Sequence, residues 1–175
     1  PETHFWSRFL PAFKERYTFP LDQVDLKVAL DILCRLPTSA GLNVPVDDIV
    51  RSLGGSCREP ALLYQQLVIA LAKPGSIYGE KTPGHLVWWP CLAELIPWLK
   101  FIFVVRDPRS VVASYQLPAG MRRRPDSFLA ARWRADQGSV LIALKILKSR
   151  SLLLRYEDVV AAPDAARTGS STVKV

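Results

Sequence analysis

Arg106 and Ser114 stand eight residues apart in Val104-Val-Arg-Asp-Pro-Arg-Ser-Val-Val-Ala-Ser114, and together they could grip a phosphate. Arg106 closes a β-compatible apolar run, and the carboxyl end of a strand is where open α/β sheets bind ligands. Asp107-Pro108 then starts a helix, with Asp as N-cap and Pro at the first helical position. The free N–H groups and the dipole of that helix start favour an anion. Ser114 lies seven residues past the cap, two turns on, and shares the side of the helix start. A guanidinium and a hydroxyl so placed form a fork suited to a phosphate. The plainer alternative pairs Arg106 with Asp107 or another nearby carboxylate and leaves Ser114 as an ordinary helix serine. On these residues alone the two readings stand level.

The elements that must position this fork follow from the hydrophobic pattern. Lys100-Phe-Ile-Phe-Val-Val-Arg106 is a continuous apolar run, predicted as a strand buried on both faces. Pro125-Asp126 opens a long helix to about Ser149, and Ser151-Leu-Leu-Leu-Arg155 is the next buried strand. Strands separated by helices predict a parallel α/β sheet with helices on both faces. The first third reads as helices. Leu21 to Leu33 places Leu21, Val24, Val28 and Ile32, with Leu30 and Leu33 nearby, on one apolar face, and Pro37 and Gly41 break it. Val46 to Leu53 is a short helix closed by Gly54-Gly55. Another runs from about Pro60 through Leu62, Leu63, Leu67 and Leu71 to Lys73, where Pro74-Gly75 stops it. Ser76-Ile-Tyr-Gly79 is β-compatible and leads into Glu80-Lys-Thr-Pro83, and a helix from about His85 to Ile96 ends at Pro97.

Composition narrows the class. With 175 residues, 49% apolar and 22% charged, the chain is globular and sized for one domain. The longest stretch free of charge, Pro60 to Ala72, has thirteen residues, short of the roughly 18 a membrane span needs. The net charge of +7 is local. Lys100 to Arg155 holds twelve Lys or Arg and three Asp, whereas the rest holds eleven basic and thirteen acidic residues. An anionic ligand or a solvated basic face accounts for that asymmetry, and Arg122-Arg-Arg124 supplies three charges in an expected loop. No nucleic-acid-binding signature accompanies it, so no nucleic-acid partner is expected. Cys34, Cys57 and Cys91 match no zinc spacing and are odd in number, which predicts reduced thiols packed as small hydrophobes. Reduced cysteines favour the cytoplasm.

Four segments, in order along the chain, resemble the PAPS-dependent sulfotransferases, in particular the branch that includes the tyrosylprotein sulfotransferases and bacterial relatives. They are Pro1-Glu-Thr3, Glu80-Lys-Thr-Pro83, Lys100 to Ser114, and Leu154-Arg-Tyr-Glu-Asp-Val159. The third is the most specific. By that resemblance Arg106 and Ser114 bind the 3′-phosphate of PAPS, and Tyr156 sits near the adenine or shapes its pocket. Lys81 approaches the sulfuryl group and the leaving oxygen, where negative charge grows. Glu2 is the general base for the acceptor hydroxyl or amine, provided burial or neighbours raise its pKa. The small-molecule sulfotransferases of the same family show Lys-Thr-His. Here Pro83 stands two after Lys81 and His85 four after, so His85 reads as structural, and His4 is the weaker rival to Glu2.

The resemblance implies a P-loop NTPase-like three-layer α/β fold with a central parallel sheet, incomplete at both ends, with residues 1–175 a single partial sulfotransferase domain. The family's Arg-Ser-Gly-Thr-Thr loop, whose backbone cradles the 5′-phosphosulfate, is absent from these residues. The chain therefore reads as a fragment, and residues 1–175 alone are expected to show little or no transfer with labelled PAPS. PAPS is the implied co-substrate, without a metal, and the acceptor is a small molecule, a glycan or a protein. Two alternatives remain. An ATP-dependent P-loop kinase needs Gly-x-x-x-x-Gly-Lys-Ser/Thr and a magnesium carboxylate, neither of which is visible. A non-catalytic binding module would keep the fold and use the basic face. Phe5, Trp6, Trp88 and Trp89 could line an acceptor pocket, though core packing suits most of them better.

Overall fold

Asp22 sets the start of the helix Gln23–Arg35. Its side chain accepts hydrogen bonds from the Val24 and Asp25 amides, both at 2.9 Å, satisfying donors that a helix start leaves orphaned. The computed structural model describes residues 2–36, 42–73, 75–116 and 124–164. In it the chain divides into two compact units, Pro1–Ile96 and Pro97–Val175. The expected breaks at Pro37, Gly41 and Pro74, the basic residues Arg122 and Arg123, and the tail from Thr168 to Val175 lie outside the described residues.

The first unit is helical. A π-helical turn at Phe5–Phe9 runs into α1 (Leu10–Lys14), followed by α2 (Gln23–Arg35), α3 (Val46–Ser52) and α4 (Pro60–Ala70). After an irregular stretch come a 3₁₀ segment, Pro83–Trp88, and α5 (Trp89–Leu95). The buried stripe of α2 is Leu26, Ala29, Leu30 and Leu33, while Val24 is 69% exposed. The face therefore differs from the one the pattern suggested. A start capped at Asp22 puts Val24 in the open first turn, and Leu26-Leu30-Leu33 makes the i, i+4, i+7 stripe. The glycines close α3 as expected: Gly54 and Gly55 take φ of 65° and 76°, and the Gly55 amide donates to the Val50 carbonyl at 2.9 Å. The helix expected from His85 to Ile96 is instead split. Pro90 near the start of α5 has no N–H for the preceding turn, so that turn tightens to 3₁₀. The β-compatible Ser76–Gly79 forms no strand, and Ile77 is exposed.

Aromatic side chains fill the middle of this unit. Phe5, Trp6, Phe9 and Phe13 are all at most 2% exposed. Phe5 packs on Phe9 and Tyr64 with ring centroids 5.0 and 5.3 Å apart. Phe5 and Trp6 are thus core residues, as is Trp89.

The second unit holds β1 (Phe101–Val105), α6 (Pro108–Gln116), α7 (Asp126–Leu147), a 3₁₀ turn at Lys148–Arg150, β2 (Ser151–Arg155) and α8 (Tyr156–Ala161). The two strands pair in parallel, with Phe101 opposite Ser151 and Val105 opposite Arg155. Parallel pairing requires a crossover, and α6 and α7 supply it. The unit is a small α/β assembly around a two-stranded parallel sheet. The strand was expected to be buried on both faces, and it is not. Phe103 is 8% exposed, whereas Ile102 and Val104 are 65% and 58% exposed. Alternate β-strand residues point to opposite faces, and among the described residues the Phe101-Phe103-Val105 face is the covered one. Among the described residues no helix is long and apolar enough to cross a membrane.

Candidate functional site

Two clusters of functional groups lie in the two units. In the first, the segment Glu2–Trp6 runs alongside Glu80–His85, and side chains rather than a backbone ladder join them. Thr3 donates to Glu80 Oε1 from its amide at 2.8 Å and from its hydroxyl at 3.0 Å. The His4 amide reaches Thr82 Oγ1 at 3.4 Å, and the Trp6 amide donates to His85 Nε2 at 3.3 Å. Because that nitrogen accepts, the imidazole proton sits on Nδ1, which points at Glu80 Oε2 2.8 Å away. The Thr82 hydroxyl also donates to Glu80 Oε1, and Tyr64 of α4 donates to Oε2 at 3.1 Å. Burial alone would push the Glu80 carboxyl up. The hydrogen bonds from His85, Thr82 and Thr3 outweigh it and bring the group to about 2. Burial, with the facing carboxylate, pushes the Tyr64 phenol up, so that it remains a donor.

At the mouth of this frame Glu2 and Lys81 face each other, one from each segment. Lys81 Nζ donates to Glu2 Oε1, and His4 Nε2 lies 3.6 Å from Glu2 Oε2. The Lys81 ammonium holds the Glu2 carboxyl below its ordinary range. The raised pKa expected of a general base is therefore not what this pairing produces. His4 adopts φ of 50°, a left-handed conformation uncommon for a residue with a β-carbon. It is held there by its amide bond to Thr82 and by the Arg8 and Phe9 amides, which donate to its carbonyl. Gly84 lets the segments approach, since a β-carbon there would come within 3.1 Å of Ser7 Cβ.

In the second unit the strand ends carry the groups. Arg106 leaves β1 with its guanidinium carbon 4.6 Å from the centroid of the Tyr156 ring, at the start of α8. The plainer alternative for Arg106 does not hold. Asp107 pairs with Arg109 at 2.7 Å instead, and Arg106 forms no ion pair among the described residues. Asp107 caps α6 as predicted, accepting from the Arg109 amide at 2.8 Å, and Arg109 brings its carboxyl down to about 2. The two strand ends are tied together by the Asp107 amide, which donates to Glu157 Oε1 at 2.8 Å. Trp133 of α7 fixes the Arg106 backbone by donating from Nε1 to its carbonyl at 3.1 Å. Ser114 is exposed on α6, its hydroxyl donating to the Val111 carbonyl at 2.7 Å. No hydrogen bond joins it to Arg106 among the described residues.

The structure thus brings Glu2 to Lys81 and Arg106 to Tyr156, and leaves Ser114 on its own helix. Sequence reasoning passed over Glu80, Tyr64 and Thr3 in the first unit and Trp133 and Glu157 in the second. Glu80 and Glu157 were in view inside quoted segments, each beside a residue given a role. Among the described residues, an open cleft of about 530 Å³ is lined by Gln23, Lys27, Asp47 and Arg51 among others, and one of about 590 Å³ by Pro108, Arg109, Asp126 and Ser127 among others. Neither includes Glu2, Lys81, Arg106, Ser114 or Tyr156. Among the described residues no group of His, Cys, Asp and Glu is arranged to hold a metal ion.

A paired carboxylate and ammonium can move a proton and steady a growing negative charge. An arginine stacked on an aromatic ring beside a helix start can hold a phosphate on a purine nucleotide. The model of the family described as "Sulfotransferase family" matches residues 30–168 of the chain. That range includes Lys81, Arg106, Ser114 and Tyr156, and begins after Glu2. No curated protein and no solved structure matches the chain.

Proposed function

The chain belongs to the sulfotransferase family, and we propose on that premise that it serves sulfuryl transfer from PAPS to a hydroxyl or amine acceptor. The observation that carries the reading is Arg106, a cation at the carboxyl end of β1, stacked on Tyr156 and, among the described residues, in no ion pair with a carboxylate. Its neighbour Asp107 is engaged by Arg109 and Glu157 instead, which leaves the guanidinium edge open to a phosphate. These residues fit a 3′-phosphorylated adenine nucleotide: a guanidinium for the phosphate and an aromatic ring for the purine pocket. Ser114 joins them by turning its hydroxyl from the Val111 carbonyl.

When bound, PAPS supplies a sulfuryl group activated by its link to the 5′-phosphate. Glu2 accepts the proton of the acceptor as the new S–O or S–N bond forms. Lys81 steadies the negative charge left on the 5′-phosphate oxygen as the old S–O bond breaks. The resting ion pair gives these roles an order. While Lys81 serves Glu2, the carboxylate is a weak base. Once Lys81 turns to an anionic oxygen of the donor, Glu2 loses the cation that lowers its pKa and gains basicity. The acceptor is a small molecule, a glycan or a protein, and the setting proposed is the cytoplasm.

Calorimetric titration of the 175-residue chain with adenosine 3′,5′-bisphosphate, AMP and ATP tests the reading. A charge-assisted contact is worth about 1.5–3 kcal/mol, so the bisphosphate should bind at least about tenfold tighter than AMP, and Arg106→Gln should erase that preference. Equal affinity for the three nucleotides, or a preference for ATP that survives Arg106→Gln, would overturn it.

A further inference from the structure

We propose that Glu80 is a positioning residue for the reaction, a buried carboxylate that clamps the Glu2 segment to the Lys81 segment so that the two groups meet. The inference rests on the roles given above to Glu2 and Lys81. The Glu80 side chain is 2% exposed and gathers five donors: the Thr3 amide and hydroxyl and the Thr82 hydroxyl on Oε1, Tyr64 and His85 on Oε2. A carboxylate has about four lone-pair sites, so this one is saturated and has no capacity left for a substrate. Its donors come from places that must be held together. Thr3 is next to Glu2, Thr82 is next to Lys81, Tyr64 belongs to α4, and His85 is itself fixed by the Trp6 amide.

The two reacting groups, by contrast, are exposed: Lys81 is 75% and Glu2 43% exposed. An exposed ion pair gains little and is readily lost, so the pair cannot hold the segments in register by itself. The clamp supplies the order that the pair lacks. It also explains the left-handed His4, whose amide is turned onto Thr82, the residue that donates to Glu80. Fixing a backbone in so uncommon a conformation requires surrounding bonds that over-determine it.

The titration of the Glu2 carboxyl, followed by carbon NMR in the full 175-residue chain, separates positioning from simple electrostatics by its sign. The charged groups around Glu2 are Lys81 and His4, which lower its pKa, and Glu80, which raises it. Neutralising Glu80 within an intact frame would therefore push Glu2 further down. Losing the clamp frees Lys81 from Glu2 and moves Glu2 up. Glu80→Gln is expected to move the Glu2 midpoint up, in the direction produced by Lys81→Met. Thr82→Val, which deletes the hydroxyl between Glu80 and His4, should do the same, while Thr82→Ser restores the parent value. Tyr64→Phe removes one donor from the far oxygen and keeps the ring that packs on Phe5, Trp6 and His85, so it should leave the Glu2 midpoint in place.

A downward or unchanged midpoint in folded Glu80→Gln overturns the proposal. Should Glu80→Gln fail to fold, Thr82→Val against Thr82→Ser decides, and an unchanged midpoint in Thr82→Val overturns it equally. Nucleotide binding at Arg106 is a separate measurement on other residues. Its failure would remove the sulfuryl-transfer reading and leave the clamp standing as a structural result, and the reverse outcome would remove only the clamp.

Discussion

Glu80 in the first unit is surrounded by five donors and almost wholly buried, whereas Arg106 in the second unit forms no ion pair among the described residues and rests on a single ring. Both charges sit beside residues proposed to act, but they do different work. A buried, saturated carboxylate fixes geometry, because every donor it gathers would be orphaned without it. A cation left unsaturated is available to a ligand, and its backbone is fixed by other means: the strand, the Trp133 bond to its carbonyl, and the Glu157 tether of the next amide. The first unit orders its site around one buried side chain, and the second by bonds to the peptide that follows Arg106. The contrast predicts that damage to Glu80 shows first as lost stability, and damage to Arg106 as lost binding.

Glu80→Ala gives the largest effect. It leaves five donors facing a void, and breaking a buried charged cluster costs about 3 kcal/mol or more, measurable by urea unfolding. The pH dependence carries the same signature. The Glu80 carboxyl titrates at about 2 in the fold against 4.5 for the free group. Its contribution is complete above about pH 4.5 and is lost as pH falls toward 2. Glu80→Gln should flatten that part of the acid limb. An acid limb identical to the parent's would show that Glu80 is not the clamp and would dissolve the contrast between the units.

Arg106→Lys comes next. A lysine keeps the charge but gives up the planar fork and most of the stacking. Affinity for adenosine 3′,5′-bisphosphate should fall about tenfold, while unfolding changes by less than about 1 kcal/mol, the scale of an exposed cation–aromatic contact. A loss of stability to match Glu80→Ala would mean that Arg106 is structural.

The parts legible in the sequence were those with local causes. Asp107-Pro108 named the start of α6 because cap and proline act within one turn, and Gly54-Gly55 named the end of α3 because the left-handed residues were needed there. The apolar runs named β1 and β2, and their parallel pairing followed from the intervening helices. What escaped depends on residues far apart in the chain. Glu80 meets Thr3 across 77 positions and Tyr64 across 16, and no periodicity records such a meeting. Ser114 and Arg106 have a spacing that suits a shared phosphate, but spacing does not report which way a hydroxyl points, and that of Ser114 is turned onto the Val111 carbonyl. The split at Pro90 was written in the sequence, but the apolar pattern on either side of it masked the break.

Asp107→Ala is the third test. It removes the cap of α6 and the partner of Arg109 together. Caps are worth about 1 kcal/mol, and the exposed Arg109 pair adds little, so unfolding should shift by about 1 kcal/mol. The freed Arg109 should leave bisphosphate binding at Arg106 unchanged. A rise in affinity would instead place Asp107 as a repulsive neighbour of the phosphate, and would extend the binding region to the start of α6.

The smallest effect is expected on the open face of β1. Ile102 and Val104 are more than half exposed, and Phe103 between them is buried. Replacing Ile102 and Val104 together by Thr keeps the β-branched shape that a strand favours and removes only apolar surface that already meets water. The double variant should unfold within about 0.5 kcal/mol of the parent. Phe103→Ala, one position away on the covered face, should cost about 3 kcal/mol. That ratio measures how one-sided the sheet is. If the threonine pair instead cost about as much as Phe103→Ala, the 102/104 face would be covered in solution, and the second unit would be as fully packed as the first. The cost should then fall on dilution if the cover is a second copy of the chain, because only an association responds to concentration.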